Sequence, residues 1–493
     1  MKKILILTVA FFSLLSSCDD SSEGIKFDIG IKKFWAQNFI NEKFYQVNAE
    51  LLARGSRCNV WVEIGSGVSE AKAQEVANAY DNNIYQKMIN AFSTTNFSFL
   101  GYNFSNIMNV ADELTDGDGK LTILLLDIKD GYKKGVNDSY VAGYFWAGNF
   151  LNVTSSNRCD MIYIDTSPGV PASKESNMTL AHEMQHLMNF VTTLVKRSKI
   201  ENGQITDVSL MDTWIDEGLA SAAEYVYSGE VSQERVSWFN NNGVLDENDA
   251  RVMSGSIDKG NNFFVWNNRE ENQYAVLDDY ATVYLFFQWL RLQGGNDIYK
   301  KIITSSQYNY NAVVGNINGY STWDSLLETW LAANFIKNIS NKYGYKNEIE
   351  TKVTYAPTSP TSTTIKLYPG EGAYSLANTD PNVSASGNIV YKYITNSGVG
   401  NFSAGSTLLT YNKSTTVNYD EKGNPTTPPD SGTVTGKAPA VSVNAVPANG
   451  GRSVGIGNRP IRIDAGDLLR RKGNGESFFI NNFKTLKADA VDE

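Results

Sequence analysis

Histidine and cysteine are nearly missing from this chain: 493 residues contain two of the first and three of the second. Cys18 lies in an N-terminal segment, and neither Cys58 nor Cys159 is spaced with another cysteine to form a metal site. In an exported protein such a pair fits a disulfide as readily as two buried thiols, so Cys58–Cys159 is a candidate disulfide. Positive charge is also short. Lys and Arg number 43 against 53 Asp and Glu, giving a net charge of −10 and a pI near 5.0. That balance lacks the basic face of a nucleic-acid binder, and no nucleic-acid partner is expected. Beyond the N-terminus no stretch is long and apolar enough to span a bilayer. What is present is a globular composition, 42% hydrophobic and 12% aromatic, at a length that predicts two or three domains.

The N-terminus reads as an export signal. Lys2 and Lys3 precede an apolar run from Ile4 to Leu15, too short for a transmembrane helix. Leu15-Ser16-Ser17-Cys18 resembles the lipobox of bacterial lipoproteins, which implies cleavage before Cys18 and lipid attachment to its thiol. Residues 1–17 are then a signal peptide and 18–28 a polar tether. The expected location is the bacterial cell envelope, with a lipid anchor as the sole membrane contact. An ordinary cleaved signal is the alternative.

Both histidines fall in one decapeptide, Ala181-His-Glu-Met-Gln-His-Leu-Met-Asn-Phe190. His182 and His186 lie four apart with Glu183 between, the pattern H-E-x-x-H. On a helix, positions i and i+4 share a face one turn apart, so both imidazoles can reach one metal ion. Glu183 then stands where a carboxylate can take a proton from water. The plain alternative is a helix with two surface histidines.

Around this segment the patterning predicts an N-terminal α/β part over 29–155 and a helical metal-binding part over 156–348. Arg57–Ile64 alternates as a half-buried strand, and Ser69 caps a long helical pattern reaching Ile89. Leu121–Ile128 is a near-continuous apolar run that predicts a strand buried on both faces. Asp116-Gly-Asp-Gly-Lys120 before it has no Glu at the later position of a calcium loop and reads as a tight turn. Val141–Trp146 reads as a strand or sheet edge near the cleft, and Asp160–Asp165 as a short strand. The metal helix is expected from Asn177, with Ser176 as its cap, to Val195. A polar loop over Lys196–Ser209 and helices over Met211–Tyr225, Tyr280–Leu292 and Thr322–Ile339 follow. Pro, Ser and Thr then dominate a linker at 349–364. Short β-like runs at Ile365–Tyr368, Ile389–Ile394 and Ile461–Ile463 mark a β-rich accessory domain over 365–493, with a long loop around Asn418–Ala440. The fold class is therefore α+β, a mixed sheet over the metal helix, a helical half, and a β-rich C-terminal region. This order suits a zincin.

A catalytic zinc takes three protein ligands and keeps one position open. With no third histidine, the metzincin pattern is excluded and the third ligand must be an acid on a neighbouring helix. Glu217 in Trp214-Ile-Asp-Glu-Gly-Leu-Ala220 is the first choice, because Gly218 and the nearby alanines permit close helix approach. Glu224, two turns on along the same face, is second, and Asp216 is weakest.

H-E-x-x-H followed by W-x-x-E-G-L-A resembles the gluzincin metallopeptidases and, in detail, the hyicolysin family of bacterial secreted peptidases. Asp127, Tyr163-Ile-Asp165 and Tyr280–Leu290 fit that layout, and the similarity covers about residues 30–345. The resemblance implies Glu217 as third zinc ligand and Tyr280 as stabiliser of the oxyanion, with Tyr284 as substitute. Two departures stand out. Glu217 lies thirty-one positions after His186, which requires an inserted loop. The G-x-M-E-N motif of related aminopeptidases is absent, which favours an endopeptidase. The acid expected four residues after the third ligand is also missing, since position 221 is Ser. The expected activity is zinc-dependent peptide hydrolysis on a protein or peptide substrate, with one Zn²⁺ and Glu183 as general base. The rival is a non-catalytic surface lipoprotein with a structural zinc and a ligand-binding β domain.

Overall fold

The computed structural model describes residues 30–41, 43–93, 119–134, 136, 139–150, 154–202, 204–240, 263–264, 276–353, 364–377, 387–403, 405–418, 430–433 and 461–463. The expected signal segment, residues 354–363 of the expected 349–364 linker and Asp116–Asp118 lie outside these. Gly119, at φ +70°, makes the turn that leads into the following strand.

Six strands form the N-terminal sheet: β1 (Ile31–Asn38), β2 (Lys43–Arg54), β3 (Cys58–Glu63), β4 (Leu121–Leu126), then β6 (Gly143–Phe145) and β7 (Met161–Asp165), with β5 (Ser139–Val141) outside it. The order is β1-β2-β3-β4-β7-β6, parallel across β3-β4-β7 and antiparallel elsewhere. All six residues of β4 are buried, because both faces of the sheet are covered. Leu121, Ile123 and Leu125 join the helical core, whereas Leu124 and Leu126 join Phe34, Val47, Tyr144 and Tyr163 on the other face. The β1–β2 hairpin covers that second face. Its polar alternation did not announce it.

That two-sidedness corrects the disulfide expectation. Cys58 sits in the helix-side cluster and Cys159, just before β7, in the opposite one, with β4 between their strands. Two strand spacings, about 9–10 Å, exceed the Cα separation a disulfide spans. Both are buried thiols, and no bond joins them.

The helices over the sheet begin with α1 (Glu70–Ala79), which runs through a π turn (Tyr80–Ile84) into α2 (Tyr85–Phe92). The Ser69 side chain caps α1 by accepting from the Lys72 amide. α3 (Lys174–Lys196) carries the H-E-x-x-H segment. It starts three residues earlier than expected because Ser173, not Ser176, is the cap, accepting the Ser176 amide at 3.0 Å. The predicted polar loop after it is a β-hairpin, β8 (Ser198–Glu201) with β9 (Gln204–Val208). Asn202-Gly203 is the two-residue turn signal, and Asn202 has φ +50°. This hairpin is the insertion that the His186–Glu217 spacing demands.

α4 (Thr213–Ser228) follows and stops at Gly229, φ +69°. It packs between α3 and α6 (Val276–Gly294), whose residues from Tyr280 to Leu290 are all buried. A Cβ at Gly218 would stand 2.2 Å from the Phe287 ring, so the glycine admits α6, not the metal helix as expected. α5 (Gln233–Phe239), α7 (Ile298–Ile303), α8 (Tyr310–Val314) and α9 (Trp323–Ile336) complete the helical half. Among the described residues no helix is long and apolar enough to cross a membrane.

The C-terminal region contains an antiparallel sheet, β11 (Gly372–Ala377), β14 (Ser406–Asn412), β12 (Ile389–Thr395) and β13 (Gly398–Gly400) in that spatial order. Tyr374, Ile394, Leu409 and Tyr411 enter the helical core. The Tyr374 hydroxyl donates to the Leu331 carbonyl at 2.6 Å, tying this sheet to α9. β10 (Thr364–Leu367) pairs with β15 (Asp430–Thr433), so part of the loop expected at 418–440 is strand. β16 (Ile461–Ile463) pairs with β5 in parallel.

Candidate metal centre

α3 and α4 meet antiparallel. The earlier histidine of α3 faces the late acid of α4, and the later histidine faces the early acids. His182 Nε2 and His186 Nε2 each lie 3.4 Å from Glu217 Oε2. Ligand atoms of these three residues all fall within 4.8 Å of one another, and all three side chains are buried. Bonds of about 2.0–2.1 Å to a tetrahedral zinc put neighbouring ligand atoms about 3.3–3.4 Å apart, which the two separations to Glu217 match. Two imidazoles and one carboxylate also suit zinc chemically. Among the described residues the group has three members, the number of protein ligands a catalytic zinc takes.

The two acids ranked below Glu217 have a different task. Glu224 Oε1 is 3.0 Å from His182 Nδ1, and Asp216 Oδ1 is 3.1 Å from His186 Nδ1. Each carboxylate takes the ring nitrogen turned away from the ligand point. A carboxylate in that place orients the imidazole and favours the tautomer with hydrogen on Nδ1, which leaves Nε2 as the metal-facing lone pair. Asp216 is the weakest candidate ligand because it points elsewhere on the helix than Glu217. That offset is what brings it beside His186. Glu224 also supplies the acid that Ser221 does not.

Burial pushes the Glu217 carboxyl up, but the adjoining His186 and His182 outweigh this and hold it below the ordinary value. Glu183 is fully buried beside the ligands. Tyr280 lies on α6 with the Arg235 guanidinium 4.7 Å over its ring. Tyr284 accepts the Ser232 amide at 2.8 Å and so seats the start of α5. Arg235 and Asn189 were not foreseen, and no motif marks them. Arg235 Nη2 lies 3.1 Å from Glu224 Oε1, and Asn189 Nδ2 donates to Asp216 Oδ1 at 2.6 Å.

On the approach side, β6 is the outer strand of the sheet and lies against α3. A Cβ at Gly143 would stand 2.7 Å from Thr179 Cγ2 and 2.8 Å from the Tyr163 carbonyl. Glycine is therefore needed for β6 to lie this close to the metal helix. Phe145, Phe150 and Phe190 cluster beside it.

The chain matches no family model. Over 281 residues it is 30% identical to the neutral metalloprotease ShpI of Staphylococcus hyicus, a stretch covering 55% of this chain and 54% of that protein. The match thus spans about half the length of its curated relative.

Proposed function

We propose that the chain is a zinc-dependent metalloendopeptidase of gluzincin type. The observation that carries this reading is the His182–His186–Glu217 cluster with its 3.4 Å separations. The half-length similarity to a neutral metalloprotease supports it. His182, His186 and Glu217 would hold the ion. A zinc there supplies a lowered water pKa and a polarised scissile carbonyl. Glu183 accepts the proton that the attacking water gives up and delivers it to the departing amine nitrogen. Tyr280 donates to the developing oxyanion, a role no histidine of this chain is left to fill. β6 offers a strand edge on which an extended peptide pairs by backbone hydrogen bonds.

The structural-zinc alternative calls for four protein ligands, whereas the described residues bring three together. The Leu15–Cys18 motif supports a lipid anchor in the cell envelope, which a gel shift on Cys18→Ser would test. The activity is tested with casein and an N-terminally blocked peptide. Internal cleavage that stops with a chelator and returns with Zn²⁺ is expected; no cleavage of either substrate by the zinc-loaded protein contradicts it. Tyr280→Phe should lower kcat by about 10²–10³-fold with little change in zinc content. Unchanged turnover removes Tyr280 from the mechanism.

A further inference from the structure

Four buried carboxylates crowd α3 and α4: Glu183, Asp216, Glu217 and Glu224. A divalent cation matches two of their charges. Buried charge that stays unmatched is costly, so two more positive groups are called for. Both are present. Arg235 and Arg197 are each buried, 4% and 7% exposed.

Arg235 reaches His182 through one acid, and Arg197 reaches His186 through an amide and an acid. A single oxygen, Glu224 Oε1, lies 3.0 Å from His182 Nδ1 and 3.1 Å from Arg235 Nη2. The guanidinium is held in turn by its stack over Tyr280, and the Ser232 side chain caps the Arg235 amide. On the other arm, Arg197 Nη2 donates to Asn189 Oδ1 at 2.9 Å, while Asn189 Nδ2 donates to the Asp216 oxygen that faces His186. Arg197 Nη1 is anchored on the Ile303 and Ser305 carbonyls at 2.9 and 3.0 Å. The amide has one acceptor and one donor side, so the arginine fixes which side meets Asp216.

We propose that Arg235 and Arg197 are positioning residues of the metal centre, each locking one histidine by fixing the carboxylate behind it. The proposal rests on the zinc reading above. Arg235 acts through one intermediary and Arg197 through two, so Arg235 carries the larger effect. Arginine suits both places because its planar fork fixes an oxygen in direction as well as distance.

The test is zinc affinity, measured with a chromophoric competitor well below the melting temperature. It compares the wild type with R235M, E224Q, the R235M/E224Q double variant, R235K and R197M. R235M should weaken zinc binding by about 10–100-fold and R197M by roughly 3–10-fold. On the E224Q background R235M should add less than about 2-fold, since the path through Glu224 is already cut. A residue that merely supports the fold would lower the melting temperature and leave the affinity of the folded protein unchanged. Wild-type affinity in folded R235M, or an undiminished R235M effect in the double variant, overturns the proposal. Should R235M not fold, R235K decides, because it keeps a positive charge and loses the fork. Binding several-fold weaker than wild type supports the proposal and equal binding overturns it. A wild type that binds no zinc overturns the metal reading itself, which separates the two failures.

Discussion

α4 and α9 are buried helices of similar length, sixteen and fourteen residues, that differ in the charged groups they bury. α9 sinks Trp323, Leu326, Leu327, Trp330 and Leu331 into an aromatic cluster with Phe263 and Phe286. Each such side chain contributes about 1.5–3 kcal/mol by leaving water. α4 buries Trp214, Ile215 and Leu219 in the same core but adds Asp216, Glu217 and Glu224, and a buried carboxylate costs several kcal/mol unless it is paired. One helix is explained by folding alone. In the other the apolar side folds in the same way, but the acids are explained only by what they hold: two histidines, an arginine and, on the present reading, a zinc ion.

The contrast can be broken at α9. Trp330→Ala should cost about 3–5 kcal/mol in stability, with or without zinc, and leave the zinc affinity of the folded protein unchanged. A matching loss of zinc affinity in chemical denaturation and competition experiments would erase the distinction between the helices. At α4 the dependence should run the other way. Zinc at a hundred times its Kd should stabilise the wild type by about 2.7 kcal/mol and Glu217→Ala by nearly nothing, read from thermal unfolding. Gly218→Ala probes the face of α4 turned from the metal. Its new Cβ meets the Phe287 ring, so a loss of about 1–3 kcal/mol is expected, with zinc content kept. A stable variant lacking zinc would mean that this face also shapes the site.

The same contrast explains what the sequence revealed. H-E-x-x-H was legible because its chemistry is local, fixed by one turn of one helix. Glu217 was legible through its neighbours, although Gly218 makes room for Phe287 and not for α3. The apolar runs of β4, β7 and α9 announced themselves because burial on both sides demands them. The duties of Asp216 and Glu224 could not be read, since they follow from the antiparallel crossing of α3 on α4. Arg235 and Arg197 belong to no motif and act across that crossing. The Cys58–Cys159 disulfide failed for a similar reason: cysteine count says nothing about which face of a sheet each thiol occupies. The β8–β9 hairpin was the avoidable miss, because Asn202-Gly203 was there to be read.

The central claim is that Glu183 works on a water beside a metal held by its neighbours. It is tested most directly by zinc analysis and peptide cleavage of the chain from Asp19, beside Glu183→Gln. About one zinc per chain in both is expected, with turnover lower by about 10²–10⁴-fold in the variant alone. A wild type without zinc, or a variant cleaving at the wild-type rate, would contradict the account.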